Sequence, residues 1–218
     1  MTLFNYQPPT HPYLEIIYQD DALLILNKPS GLLTVPGKAP EHQDCLERRV
    51  QRVYPEARIV HRLDMSTSGL VVMALGAESQ RHLNRQFELR QTHKHYIARL
   101  EGIMQSAHGV VDLPLICDWP NRPKQMVCFQ RGKRGLTLFS VIAREAEATR
   151  VKLTPVTGRS HQLRVHMQWL GHPILGDKFY ASKAGIDAAD RLQLHAEYLA
   201  LTHPSSGKMM EFYAKCSF

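Results

Sequence analysis

Among the 218 residues, those best suited to chemistry lie in Val60-His61-Arg62-Leu63-Asp64-Met65-Ser66-Thr67-Ser68-Gly69-Leu70. A carboxylate stands two residues from a guanidinium, and three hydroxyls and a glycine follow. If 61–64 is extended, successive side chains alternate in direction, so Leu63 anchors in the core while Arg62 and Asp64 project together in front of it. A carboxylate held there can attack an electrophilic carbon or take a proton. Gly69-Leu70-Val71-Val72-Met73-Ala74-Leu75, just downstream, reads as a buried strand that would fix the loop, a common location for functional residues. The competing reading is a surface ion pair, which contributes little. A kinase catalytic loop is excluded: a leucine separates Arg62 from Asp64, and the chain lacks a Gly-rich phosphate loop and a downstream Asp-Phe-Gly.

The surrounding chain supplies elements to hold this loop. Leu14–Tyr18 and Ala22–Asn27 read as a hairpin. Lys28-Pro29-Ser30-Gly31 ends it in a turn, with Lys28 either facing a phosphate or simply solvated. Asp44 and Glu47 have the form of a capping box for a helix with Leu46, Val50 and Val53 on its apolar stripe and Arg48, Arg49 and Arg52 mostly off it. A second helix runs over 77–91 with Leu83 and Phe87 inward. The stretch 94–102 alternates as a half-buried strand that puts Tyr96 on the face of Ala98 and Leu100.

Residues 117–135 read as a long, irregular, basic segment. In it Trp119 and Phe129 interleave with Arg122, Lys124 and further cations, as on a surface that follows phosphates and stacks bases; the alternative is a solvated loop. Strands follow at 137–143 and 149–155. Thr157-Gly158-Arg159-Ser160 then caps a helix over 161–170, with Leu163, Met167 and Leu170 on one side and His161, Arg164 and Gln168 nearly opposite. Arg164 is accordingly no core filler, and it lies near a helix start, where anions are favoured. Two more strands occupy 192–202 and 209–213. These elements predict an α+β fold, a mixed, mainly antiparallel sheet core flanked by helices. Residues 1–12 read as a flexible N-terminal arm, and 13–218 as a single, possibly bilobed, catalytic domain.

A net charge of +7 and a pI near 9.3 favour a polyanionic partner. Cys45, Cys117, Cys128 and Cys216 stand far apart with no C-x-x-C, so they read as reduced thiols, and no histidine pair has metal-ligand spacing. No apolar run is long enough for a membrane helix, and the N-terminus has no secretory pattern, which predicts a cytoplasmic protein.

Taken together, His61-Arg62-Leu63-Asp64-Met65-Ser66-Thr67-Ser68-Gly69, Asn27-Lys28-Pro29-Ser30-Gly31, Gly158-Arg159-Ser160-His161-Gln162-Leu163-Arg164-Val165-His166, and the pair His172–Asp177 and Leu194-His195-Ala196 resemble, in order, the motifs of the RluA-type family of RNA pseudouridine synthases. Residues 113–125 further resemble its dual-specificity branch, which modifies a uridine in a large-subunit (23S) rRNA hairpin and one in the anticodon stem-loop of certain tRNAs.

The resemblance implies the pseudouridine synthase fold with a central RNA-binding cleft, an isomerase that needs neither cofactor nor metal, and RNA as partner. It assigns Asp64 as the essential carboxylate and Arg164 as its cationic partner. Tyr96 would pack on the target base and Arg62 would enter the stack that the flipped uridine leaves. Lys28, His61, Arg122, Lys124 and His161 complete the expected substrate contacts. Many relatives carry an S4-like RNA-binding domain ahead of the catalytic one; with the first strand near Leu14 none is expected here. A monomer is expected. The other classes considered are an RNA-binding module with an inactive site and a nucleoside hydrolase or glycosylase.

Overall fold

Two apolar runs, Leu23-Leu24-Ile25-Leu26 and Gly69–Leu75, are continuous rather than alternating. That is the pattern of strands covered on both faces, and both are buried throughout. The computed structural model describes residues 6–218. The chain divides into two compact units: one runs as far as His93 and resumes over Ala196–Cys216, and the other comprises Lys94–His195 with Ser217–Phe218.

In the first unit, β1 (Ile16–Gln19) and β2 (Leu23–Lys28) form the expected hairpin. Helix α1 (Leu46–Gln51) and strand β3 (Ala57–Ile59) precede β4 (Ser68–Leu75). The β2–β4 ladder is antiparallel from Leu23↔Ala74 to Lys28↔Gly69, which sets the end of β2 beside the start of β4. Helix α2 (Gly76–Glu88) turns Leu83 and Phe87 onto Leu23, Ile25, Leu70 and Val72.

The second unit contains an antiparallel sheet of β5 (His93–Glu101), β6 (His108–Cys117), β7 (Gln125–Val127), β8 (Lys133–Arg144) and β9 (Ala148–Pro155), in spatial order β5-β9-β8-β6-β7. Helix α3 (Gln162–Trp169) packs Leu163 and Met167 onto Ala98, Leu100, Phe139, Val151 and Leu153. The short α4 (Lys183–Asp187) follows, and β10 (Leu194–Thr202) carries the chain back to the first unit, where β11 (Met209–Tyr213) pairs with it. The α+β class and the predominance of antiparallel pairing are therefore as expected. Among the described residues no helix is long and apolar enough to cross a membrane.

Several local expectations are corrected. The flexible arm lies outside the described residues as far as residue 5. From Tyr6 onward it is tied down: the Tyr6 hydroxyl donates to the Asp44 carbonyl at 2.7 Å and accepts the Leu33 N–H at 2.9 Å. Asp44 does not cap α1, whose N-cap is Cys45 without a side-chain hydrogen bond. The Asp44 carboxylate instead takes the Nε and Nη2 of Arg49 at 2.8 and 2.7 Å. Arg49 is fully buried rather than off the apolar stripe, because its Nη1 also reaches the Pro9 and Tyr13 carbonyls, whereas Val53 lies past the helix end and is exposed. Strand β6 was not anticipated, since Gly109 and Pro114 interrupt its pattern and Asp112 faces out. The basic segment 117–135 is correspondingly less irregular than expected, containing β7 and the start of β8.

Gly69 makes the closest approach of backbones in the first unit. Its φ is +111°, and a Cβ there would overlap the Ala196 main chain. Strain at such a φ costs of order 1–3 kcal/mol before any collision is counted. Gly69→Ala is expected to destabilise the protein by about 3 kcal/mol or more in urea unfolding.

Candidate active site

The loop after β2 forms a mould for the main chain on either side of Asp64. Thr34 Oγ1 donates to the Leu63 carbonyl at 2.8 Å and accepts the Leu63 N–H at 3.3 Å. The Met65 carbonyl accepts from Gly31 N at 2.9 Å and from Lys28 Nζ at 3.0 Å. Ser30 Oγ donates to the Ser66 carbonyl at 2.7 Å, and Thr67 N closes the turn on the Asp64 carbonyl at 3.1 Å. With Leu63 7% exposed, Arg62 exposed and Asp64 half-buried, the loop has the alternation read from its sequence.

Lys28 departs from both sequence readings, since it neither faces a phosphate nor is solvated. It has no exposed surface, and its ammonium donates to three carbonyls: Leu32 at 2.8 Å, Pro29 at 2.9 Å and Met65 at 3.0 Å. Those bonds make it an anchor of the loop rather than a substrate contact. Burial pulls its pKa down to about 7, and the Asp64 charge works in the opposite sense. The three acceptors also favour the ammonium, because a neutral amine has one N–H too few to serve them all.

His61 is likewise engaged within its own unit. Its ring stacks on Phe87 with centroids 4.6 Å apart, and Nε2 accepts the Val72 N–H at 3.1 Å. That bond requires the neutral ring at Nε2. Arg62, exposed beside it, is the member of the motif best presented to a large ligand.

The second unit holds the other expected groups. Tyr96 lies opposite Leu153 in the β5–β9 ladder and packs, half-buried, against the core of Ala98 and Leu100. Arg164 is not on an open polar face. Residues Gln162–Met167 of α3 are all buried, because the helix is covered on more than the side of Leu163 and Met167. The guanidinium forms a bidentate pair with Asp177, Nε to Oδ2 and Nη2 to Oδ1, both at 2.7 Å. The ring centroids of Tyr180 and Phe179 lie 5.1 and 5.2 Å from its central carbon.

His161 is the left-handed N-cap of α3, at φ 52°. Its Nδ1 is 2.7 Å from the Tyr180 hydroxyl, which also accepts the Gln125 N–H at 2.7 Å. Arg122 is exposed, with its guanidinium 4.1 Å from the Trp119 ring centroid, while Lys124 is half-buried in the same turn. Neither Asp177 nor the Thr34 bracket was anticipated. Asp177 had a signal, an acid in the last motif following an arginine-bearing one; Thr34 had none.

This arrangement is a carboxylate on a braced loop in one unit, and a buried arginine with a half-buried tyrosine in the other. Comparison with known proteins places the chain in a family. A family model described as RNA pseudouridylate synthase covers residues 22–169. The chain belongs to the RNA pseudouridylate synthase family. The dual-specificity RNA pseudouridine synthase RluA of Escherichia coli (strain K12) is 56% identical over 219 residues, covering 100% of both chains. That of Vibrio vulnificus (strain CMCP6) is 52% identical, with 100% of this chain and 89% of the relative covered. Among solved structures, human RNA Pseudouridylate Synthase Domain Containing 1 matches with a TM-score of 0.79 and 29% identity, over 96% of this chain and 86% of that one. The chain is thus a pseudouridine synthase, an isomerase acting on RNA, and it has the fold of that family.

In this synthase Lys28→Met would leave three carbonyls without their buried donor, at a cost of about 1–3 kcal/mol for each group not rescued by water. Urea unfolding is expected to show a loss of several kcal/mol, and the Gly31 and Thr67 amides should exchange faster with solvent.

His166 of α3 provides a pH test. Burial pulls its pKa down to about 4, from a usual value near 6.5. Between these values the unfolded chain binds the proton and the folded one does not, so stability is full above about pH 6.5 and falls on acidification towards pH 4. Thermal midpoints measured across that range should drop less steeply in His166→Gln.

Proposed function

We propose that this synthase converts uridine to pseudouridine in RNA hairpin loops, in both large-subunit (23S) rRNA and the tRNA anticodon stem-loop, with Asp64 as the essential catalytic residue. The observation that carries the assignment is the bracing of Leu63, Met65 and Ser66 by residues 28–34, which fixes the main chain around one half-buried carboxylate. Full-length similarity to proteins named dual-specificity RNA pseudouridine synthase supports the choice of substrates.

The reaction breaks the N1–C1′ bond, turns the base and joins C5 to C1′; the C5 proton is then lost and N1 gains one. No redox step or net hydrolysis occurs. Asp64 serves either as nucleophile towards C1′ or as the base that takes a proton as the bond opens. Arg164 holds the carboxylate in its charged form, as a neighbouring guanidinium does. Tyr96 packs on the base and assists removal of the C5 proton. A stacked uridine is out of reach of such groups, so the target is flipped out, at a cost of a few kcal/mol that is smaller in a loop. Arg62 fills the vacated stack, and Arg122, beside Trp119, holds the RNA backbone. Lys124 adds charge to that surface, and His161 lines the substrate site. The enzyme acts as a monomer in the cytoplasm.

Asp64→Asn is expected to keep the fold and RNA affinity while abolishing tritium release from 5-tritiated uridine, in both an rRNA hairpin and an anticodon stem-loop transcript. Appreciable release would remove Asp64 from its role. Tyr96→Phe should slow the reaction severely, with full activity reducing the phenol to packing. Free uracil in the product chromatogram would point to glycosidic hydrolysis instead.

A further inference from the structure

Arginine has a long side chain with about 2 kcal/mol of rotamer entropy, and a catalytic group must be held within about half an ångström of its working geometry. One loop of the second unit grips the Arg164 guanidinium. Asp177, with a fully buried side chain, takes Nε and Nη2 at 2.7 Å each. Its Oδ1 also accepts the Phe179 N–H at 3.0 Å, which orients the carboxylate. The Asp177 main chain is itself fixed: its N–H donates to Ile174 O at 3.2 Å, and its carbonyl accepts Ala181 N at 3.0 Å. The preceding Gly176, at φ +73°, lies so close to Arg191 that no side chain fits.

Phe179 and Tyr180 from the same loop approach the guanidinium at 5.2 and 5.1 Å. The Tyr180 hydroxyl is locked between Gln125 N and His161 Nδ1 at 2.7 Å each. The Tyr180 ring therefore has little freedom to let the guanidinium swing.

We propose that Asp177 is the positioning residue for Arg164: it holds the guanidinium in one orientation and supplies the countercharge that makes a buried arginine tolerable. The inference rests on the catalytic assignment of Arg164 made above. A purely structural ion pair would hold the loop and α3 together without setting the rate. The positioning role makes the rate depend on Asp177 only as long as Arg164 is present.

The test is a double-mutant cycle of Asp177→Asn and Arg164→Lys, read by single-turnover pseudouridine formation on an anticodon stem-loop transcript, with RNA affinity measured by filter binding. Asparagine keeps the shape and one acceptor but turns an amide donor towards the guanidinium. Displacements of about 1 Å at a reacting centre cost on the order of a hundredfold. Asp177→Asn is expected to slow the step by about 10- to 100-fold with RNA affinity within about threefold of wild type, and to cause no further loss in the Arg164→Lys background.

A wild-type rate in Asp177→Asn while Arg164→Lys is slow would overturn the inference alone, as would losses that multiply in the double variant. A wild-type rate in Arg164→Lys would overturn the assignment of Arg164 first. Should Asp177→Asn fail to fold, Asp177→Glu keeps the charge and moves it by one methylene. A slow but fully RNA-binding glutamate variant supports the proposal, and a wild-type rate overturns it.

Discussion

The geometry of the Asp64 loop depends on a set of hydrogen bonds that involve no part of its side chain. Thr34 brackets Leu63, Lys28 and Gly31 converge on the Met65 carbonyl, and Ser30 takes Ser66. A short loop without regular structure would otherwise sample many conformations, at roughly 1–2 kcal/mol of backbone entropy per residue to order. Here the order is imposed by a second loop hung from β2, and the β2–β4 ladder sets the two loops side by side. The hydrophobic runs of those strands act on chemistry through this chain of dependence: burial fixes the ladder, the ladder fixes the loops, and the loops fix the carboxylate.

Buried cations recur through the structure, and each has a rigid set of acceptors. Lys28 is satisfied by carbonyls alone, Arg49 by Asp44 and two carbonyls, and Arg164 by Asp177. Removing a charge from water costs several kcal/mol, and an unpaired buried charge is strongly destabilising. Such groups therefore act as local pins, in contrast to cations such as Arg62 and Arg122, which stay at the surface.

Much of this was legible from residue order. Continuous apolar runs marked β2 and β4, alternation placed Tyr96 beside Ala98 and Leu100, and the spacing of Arg62, Leu63 and Asp64 gave the observed exposure. Periodicity failed for Arg164 because a helical wheel knows only one buried face, whereas α3 is enclosed as far as Met167 by the sheet and by the Asp177–Tyr180 loop. It failed for Lys28 and Arg49 for a related reason: a charged residue reads as exposed unless its acceptors are known, and those acceptors are largely main-chain carbonyls, which leave no trace in residue types. β6 escaped notice because a glycine, a proline and the outward Asp112 interrupt its alternation.

The Lys28 anchor grips backbone oxygens of Pro29, Leu32 and Met65 rather than their side chains. Positions 29 and 65 can therefore vary among residues that keep the local path without loosening the grip, whereas Leu32 is held by its fully buried side chain as well. Position 28 has no such latitude, since only a slim, three-pronged donor fits where arginine's flat fork would not. The grip is thereby concentrated in one side chain, while the oxygens it holds belong to main chain that every residue type carries.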